Sequence, residues 1–295
     1  MDVKKIGVLA ILGSSFMWAL EPIAAKMAYR GSDFLETSAV RAVVITIVAF
    51  LYVALTNKAN LKVAGRQVGP LVYIALAGTV AADTLYFFAI SKSQVINVVL
   101  MTHMQPIFIV VFGFFVMREN LTRYDYAGIA VMIVSGLMVT TGTPENLASL
   151  RLGGMGDVYV LLATVLWATT AIAMRKYLRT VHSGVITFYR FSIASVLFTI
   201  YLLADRAEIR LNIYQVAVGL IGAAGTILYY ESLKRLKAAQ VGALELSTPL
   251  FVAVLVLFVP TETVTPMQVA GIAVLLFGVY LLSRKKKTAI TFIAD

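Results

Sequence analysis

Cysteine is absent from all 295 residues. No disulfide, thiolate metal site or thiol nucleophile can therefore form, and thiol usage does not reveal the redox compartment. Histidine occurs only twice, as His103 and His182, so a metal centre has little to draw on and no cofactor is expected. Charged residues make up 14% of the chain, where a soluble domain carries about a quarter. The 25 basic residues exceed the 15 acidic ones, for a net charge of +10. Such an excess binds nucleic acid only when gathered on one surface. Here it is scattered in short clusters between apolar runs, so nucleic acid is not an expected partner. The HExxH helix of a zinc protease and the GxSxG elbow of a serine hydrolase are both missing, which argues against an intramembrane enzyme.

Apolar sequence is abundant. Hydrophobic residues are 60% of the chain and the mean hydropathy is +0.88, so the chain reads as an all-α polytopic membrane protein. A helix spans the bilayer core with about 20 apolar residues. Ten such runs are expected, near 6–29, 35–56, 68–91, 95–117, 123–142, 155–178, 183–204, 212–234, 239–259 and 265–283. The first is too long for a signal-peptide core and lacks an Ala-x-Ala cleavage pattern, so it is expected to remain as a mature helix. Barrel strands would alternate in polarity, and runs such as 43–55 do not.

Lys and Arg collect in cytoplasmic loops. With the N-terminus in the cytoplasm, Lys4, Lys5, Lys58, Lys62, Arg66, Arg118, Arg123, Arg175, Lys176, Arg179, Lys234, Arg235, Lys237 and Arg284 to Lys287 fall on that side. Only Arg30, Lys92, Arg151, Arg206 and Arg210 fall on the other. Ten crossings return the C-terminus to the cytoplasm of a cell-membrane (inner-membrane) protein, with anionic lipid as a partner of the basic tail.

The chain repeats itself. A shift of 143 (249 − 106) carries Leu85-Tyr86, Pro106, Phe108, Phe115-Val116, Glu119, Thr122 and 127–131 onto Leu228-Tyr229, Pro249, Phe251, Phe258-Val259, Glu262, Thr265 and 270–274. A shift of 149 (190 − 41) carries Gly7, Trp18-Ala19, Ile23 and Arg41 onto Gly156, Trp167-Ala168, Ile172 and Arg190. The expected units are 1–145 and 150–284, followed by a cytoplasmic tail at 285–295. Five helices per unit is an odd number, so the second unit is expected upside down relative to the first. Secondary transporters of this plan hold substrate between inverted halves near the midplane.

Ten helices, a Trp-Ala pair in the first helix of each half, a proline in the fourth with a glutamate at its end, and a Gly-containing fifth together resemble the drug/metabolite transporter superfamily, EamA type. The resemblance covers almost the whole chain, and its most specific part is the paired Pro106/Glu119 and Pro249/Glu262 blocks. It implies a permease without ATP hydrolysis for amino acids or other small metabolites, often outward. It also implies a central cavity lined by helices 1, 3, 4, 6, 8 and 9.

Ionisable groups inside a membrane require a partner, water or a role. Glu21 shares a helix face with Trp18 and is either a cavity carboxylate or the structural partner of Lys26 or Arg41; its repeat counterpart is Thr170. Asp83, three before Tyr86 and matched by Thr226, is a second candidate. Asn97, Thr102, His103 and Gln105 form a polar cluster before Pro106, which frees a carbonyl near Thr102. His103 is a proton-exchange candidate or a plain hydrogen-bonding residue. Glu245, matched by Thr102, precedes Thr248 by three. Candidate substrate-binding residues are thus Trp18, Glu21, Asp83, Tyr86, His103, Gln105, Trp167, Thr170, Tyr229, Glu245 and Thr248. Glu21, Asp83, His103 and Glu245 are the proton-coupling candidates. Pro106, Pro249, Glu119, Glu262, Gly128 and Gly271 are read as structural, Arg41 and Arg190 as snorkelling or scaffold-pairing cations, and Glu231 as the partner of Lys234 or Arg235. Trp18, Trp167, Tyr86, Tyr229 and Tyr230 would suit organic cargo, such as a cationic amine. Small residues seven apart, Gly128 with Ser135 and Gly271 with Gly278, allow close helix packing within a monomer or between the copies of a homodimer.

The expectation is a secondary active transporter of a small-molecule substrate, working by alternating access, with the proton as candidate coupling ion. A facilitative channel or uniporter is the alternative.

Overall fold

Apolar runs that must satisfy their backbone without water can do so by bonding internally, and here they do so as helices. The computed structural model describes residues 3–56, 60–117, 123–148, 154–178, 180–205, 210–235, 244–245, 247–259 and 263–283. Among these there is no strand. The elements are α1 (Val3–Ala28), α2 (Phe34–Thr56), α3 (Gly65–Lys92), α4 (Val95–Thr102), α5 (Gln105–Met117), α6 (Arg123–Thr141), α7 (Pro144–Ala148), α8 (Met155–Leu178), α9 (Ser183–Ala204), α10 (Ile213–Arg235), α11 (Ser247–Phe258) and α12 (Pro266–Ser283).

Helical residues fall in each of the ten expected runs. Among the described residues, seven helical stretches are long and apolar enough to cross a membrane: Lys5–Ala28, Phe34–Thr56, Gly65–Lys92, Val95–Val116, Met155–Leu178, Ser183–Ala204 and Ile213–Ser232. Ser247–Phe258 and Pro266–Leu281 are shorter apolar helices. Large apolar side chains such as Leu55, Phe115, Ile200 and Leu203 are exposed on the outside, the surface a lipid-facing helix needs.

Several starts are closed by reciprocal caps. Asp33 Oδ1 accepts from the Glu36 amide at 2.7 Å, while the Asp33 amide donates to Glu36 Oε2 at 3.1 Å. Asn212 with Gln215 and Thr265 with Gln268 repeat the device. Gly142, at φ 68°, ends α6 in the left-handed region that favours glycine.

Four runs depart from simple helices: the sixth ends in a π-helical turn over Met174–Leu178 and the ninth in a 3-10 turn over Val256–Phe258. The fourth breaks into α4 and α5 at His103 and Met104, because Pro106 cannot donate to the carbonyl one turn back. The His103 amide tightens onto the Val99 and Leu100 carbonyls at 3.4 and 3.2 Å. The third is π-helical over Ile74–Asp83, a geometry that inserts extra backbone and is frequent at functional sites.

Helices pack antiparallel across the chain. Along α2 and α9, Val53 meets Gly184, Phe50 lies 6.0 Å from Phe188, and Thr46 Oγ1 lies 3.1 Å from Ser195 Oγ. Along α6 and α12, Met132 meets Gly278, Ser135 Oγ donates to the Gly271 carbonyl at 2.8 Å, and Thr265 Oγ1 donates to the Gly142 carbonyl at 2.6 Å. The small residues of α6 and α12 are therefore used inside the monomer. Helix α1 runs against α10, from Ser14 at Gly225 to Ala28 at Asn212. Helix α8 runs against α3, from Gly156 at Ser93 to Thr170 at Gly78. These two contacts exchange when the shifts of 149 and 143 are applied.

Candidate functional site

The centre of the bundle holds four charges, of which Glu21, Arg41 and Asp83 are buried and Arg190 is half-buried. In α1, Glu21 precedes Pro22, whose ring removes the hydrogen bond to the Trp18 carbonyl one turn back. Glu21 Oε1 accepts from Arg41 Nε of α2 at 2.7 Å. Arg41 Nη1 reaches Asp83 Oδ2 of α3 at 2.8 Å. Asp83 Oδ1 receives Trp167 Nε1 of α8 at 2.9 Å and Arg190 Nη2 of α9 at 3.3 Å. Two carboxylates and two guanidiniums balance to zero, which is how charges survive away from water. Both arginines also lie over Phe191, at 5.3 and 5.2 Å.

The π-helical turn takes part. The Gly78 carbonyl accepts from Trp167 Nε1 at 3.0 Å and Arg190 Nη2 at 3.1 Å, and Thr79 Oγ1 accepts from Arg190 Nε at 2.6 Å. A methyl group at Gly78 would meet Thr170 Cγ2 at 3.2 Å and Arg190 Nη2 at 3.5 Å. One at Gly222 of α10 would meet Glu21 and, at 3.4 Å, Arg41 Nε. Glu21 and Arg41 correspond to Thr170 and Arg190 at the shift of 149, so the two glycines occupy matching surroundings. They are 144 apart (222 − 78), whereas Asp83 and Thr226 are 143 apart. The π segment of α3 thus contains one residue more than the regular helix α10.

The aromatic candidates pair in the same matched way. Trp18 lies 5.0 Å from Tyr229, and Trp167 lies 5.3 Å from Tyr86. Trp18 packs over Gly225, and Tyr229 sits within electrostatic range of Glu245. Ser15 Oγ approaches the Glu245 carbonyl at 3.5 Å. His103 places Nδ1 2.8 Å from the Val99 carbonyl and also bonds the Glu245 backbone. Thr248, buried, has no partner for Oγ1 among the described residues.

The candidates therefore fall into two groups. Glu21, Asp83, Tyr86, Trp167 and Thr170 surround the arginines, while Trp18, His103, Tyr229, Glu245 and Thr248 gather beside α11. Gln105 is half-buried at the start of α5. Asn97 faces away, accepting from Gln268 Nε2 of α12 at 2.6 Å. Glu231 pairs with Arg235 and Tyr52. Pro106 is the second residue of α5, Pro249 is buried in α11, and Gly128 and Gly271 lie in α6 and α12. Glu119 and Glu262 lie outside the described residues. Two clefts open elsewhere. One of about 880 Å³ is lined by α6, α7 and α12 at Met138, Pro144 and Met267, and one of about 420 Å³ lies at Arg30, Asp33, Glu36 and Arg210. Neither is lined by the expected site residues.

Arg41 and Arg190, read from the sequence as snorkelling or scaffold-pairing cations, are paired with carboxylates, and Gly78 and Thr79 were not among the candidates. The available signal was that both arginines lie inside apolar runs and match at one shift.

The profile of the EamA-like transporter family matches residues 5–141 and 154–284. An uncharacterized transporter of Methanothermobacter thermautotrophicus is 25% identical over 218 residues, which are 72% of this chain and 63% of that protein; the match thus spans under two thirds of that relative's length. The pseudopaline exporter CntI of Pseudomonas aeruginosa is 24% identical over 66% of each chain. The uncharacterized inner membrane transporter YhbE of Escherichia coli is 26% identical over 83% of this chain and 78% of its own. A solved crystal structure at 18% identity superposes with a TM-score of 0.65, covering 96% of this chain and 99% of the other, and shows the likeness of fold.

Proposed function

Because this chain belongs to the EamA-like transporter family, we propose that it is a secondary active transporter exporting amino acids or other small metabolites from the cell. Two inverted five-helix halves, 1–145 and 150–284, rock against each other, and both termini lie in the cytoplasm. The observation that carries this reading is the meeting of matched residues between the halves. Thr46 touches Ser195 where α2 and α9 cross antiparallel, and Trp18 on Tyr229 mirrors Trp167 on Tyr86. Antiparallel contact between equivalent helices is what a twofold axis in the membrane plane produces. With the interior side chains packed together, cargo reaches them only when the halves separate.

Outward direction is supported by one relative being named an exporter. Protons are the coupling ion of this reading, exchanged at an interior carboxylate. Purified protein reconstituted into liposomes is expected to show saturable flux and counterflow of an amino acid or amine, driven by an imposed pH gradient. A linear, non-saturating flux without counterflow would identify a channel instead, and no flux across a broad solute panel would overturn the reading.

A further inference from the structure

Four carboxylates lie well inside the apolar runs, and three are matched. Glu21 has Arg41, Asp83 has both arginines and Trp167, and Glu231 has Arg235 and Tyr52. The fourth is Glu245, whose carboxylate meets no cation and no hydrogen-bond donor among the described residues. His103 directs its ring to the backbone carbonyls of Val99 and Glu245 rather than to that carboxylate. One turn on, Thr248 Oγ1 is buried, at 2% exposure for the residue, and also without a partner. The intervening Ser247 is satisfied, donating to the Leu244 carbonyl at 2.8 Å. Tyr229 lies within electrostatic range of Glu245, and its ring stands 5.0 Å from that of Trp18.

An interior carboxylate is costly without a positive charge near it, and a buried hydroxyl without a partner gives up a hydrogen bond. A primary ammonium supplies what both lack. One N–H forms a charge-assisted bond to the carboxylate, a second donates to Thr248 Oγ1, and the cation lies against electron-rich Trp and Tyr faces. An anion would face Glu245 directly, and a neutral alcohol would leave the carboxylate without a counter-charge.

We propose that Glu245, Thr248, Trp18 and Tyr229 form a subsite for the primary ammonium group of the cargo, and that Glu21 and Asp83 belong to the frame rather than to cargo binding. This deepens the transporter reading and rests on it for the word cargo, but the binding itself is measurable without transport.

Calorimetric titration of the full-length protein in detergent tests the subsite with tyramine, putrescine and butylamine, and with 4-hydroxyphenethyl alcohol and 3-(4-hydroxyphenyl)propanoate as neutral and anionic controls. At least one amine is expected to bind, with tyramine favoured about tenfold or more over its alcohol, a difference of one ammonium contact. E245Q is expected to remove that preference while binding the alcohol as the parent does, and T248V to weaken the amine severalfold. Equal binding of amine and alcohol, or no amine binding at all, overturns the proposal, as does unchanged amine affinity in a cooperatively melting E245Q. Should E245Q fail to fold, T248V and the parent's amine preference decide. Parent-like flux of an anionic cargo through E245Q would sink this subsite and leave the transporter standing. A parent that moves no solute yet binds amines through Glu245 would do the reverse.

Discussion

Thr46 Oγ1 and Ser195 Oγ lie 3.1 Å apart where α2 crosses α9, and they occupy the same place in the two repeated segments, separated by the 149 positions that also separate Arg41 from Arg190. A residue touching its own counterpart marks the axis of the proposed inverted repeat. Only at that axis can equivalent positions on two antiparallel helices coincide.

The absence of cysteine makes this contact directly testable. A T46C/S195C double variant, with a protease site introduced at residues 149–153, is expected to form a disulfide on mild oxidation, because the side-chain oxygens already stand close to bonding range. After cleavage the two fragments should migrate together until reduced. Separate fragments under oxidising conditions would show that α2 and α9 do not cross there.

Removing Asp83 should cost far more than neutralising Glu21. D83A leaves Arg41 with one carboxylate and Arg190 with none, a loss of about 3–5 kcal/mol for a broken buried pair. E21Q removes one charged contact while Arg41 keeps Asp83, for a loss of about 1–3 kcal/mol. Thermal melts in detergent are expected to rank the parent above E21Q and E21Q above D83A. Equal melting of all three would mean that the charges are not held as described.

A single methyl group probes the contact between α1 and α10. In G222A the new carbon would run into Glu21 Oε1 and crowd Ile45 Cδ1 at 3.1 Å. Overpacking of this kind costs about 1–3 kcal/mol. Gly69, with nothing within 4 Å of the same atom, is the control. G69A should melt with the parent and G222A well below it, and identical curves would refute the close approach.

Deleting Ala81 would remove the extra residue of the π segment in α3. Each helical residue turns the chain by 100° and advances it by 1.5 Å, so Trp167 Nε1 could no longer serve both the Gly78 carbonyl and Asp83 Oδ1. The deletion is expected to lower the melting temperature about as much as D83A and to change Trp emission. Parent-like stability and spectrum would mean that the π turn is incidental.

Much of the helical plan was legible because it depends on local quantities. Apolar run length and the proline at 106 act over a few residues, and they placed helices near their observed bounds. The break at His103 was anticipated only as a freed carbonyl near Thr102, since one proline in an apolar run does not reveal whether a helix bends or stops. The π turn left no mark in hydropathy, because an inserted alanine changes no polarity. It emerges when Gly78 and Gly222 are seen in matched surroundings.

The candidate site was legible as an inventory and not as an arrangement. Glu21, Asp83 and Glu245 look alike in sequence, each a lone carboxylate in an apolar run. What separates them is that Glu21 and Asp83 meet cations across the bundle, 20, 42 and 107 positions away for the contacts to Arg41 and Arg190, while Glu245 meets none among the described residues.

By itself, the sequence determined that this chain is helical, apolar and internally repeated, because hydropathy, helix length and self-similarity are properties of residues in order. That Glu21 and Asp83 meet cations while Glu245 meets none among the described residues was decided by tertiary structure alone. Charge pairing is set by distance in space, and α1, α2, α3, α8 and α9 bring Arg41 and Arg190 to two acidic side chains while leaving Glu245 beside aromatic rings.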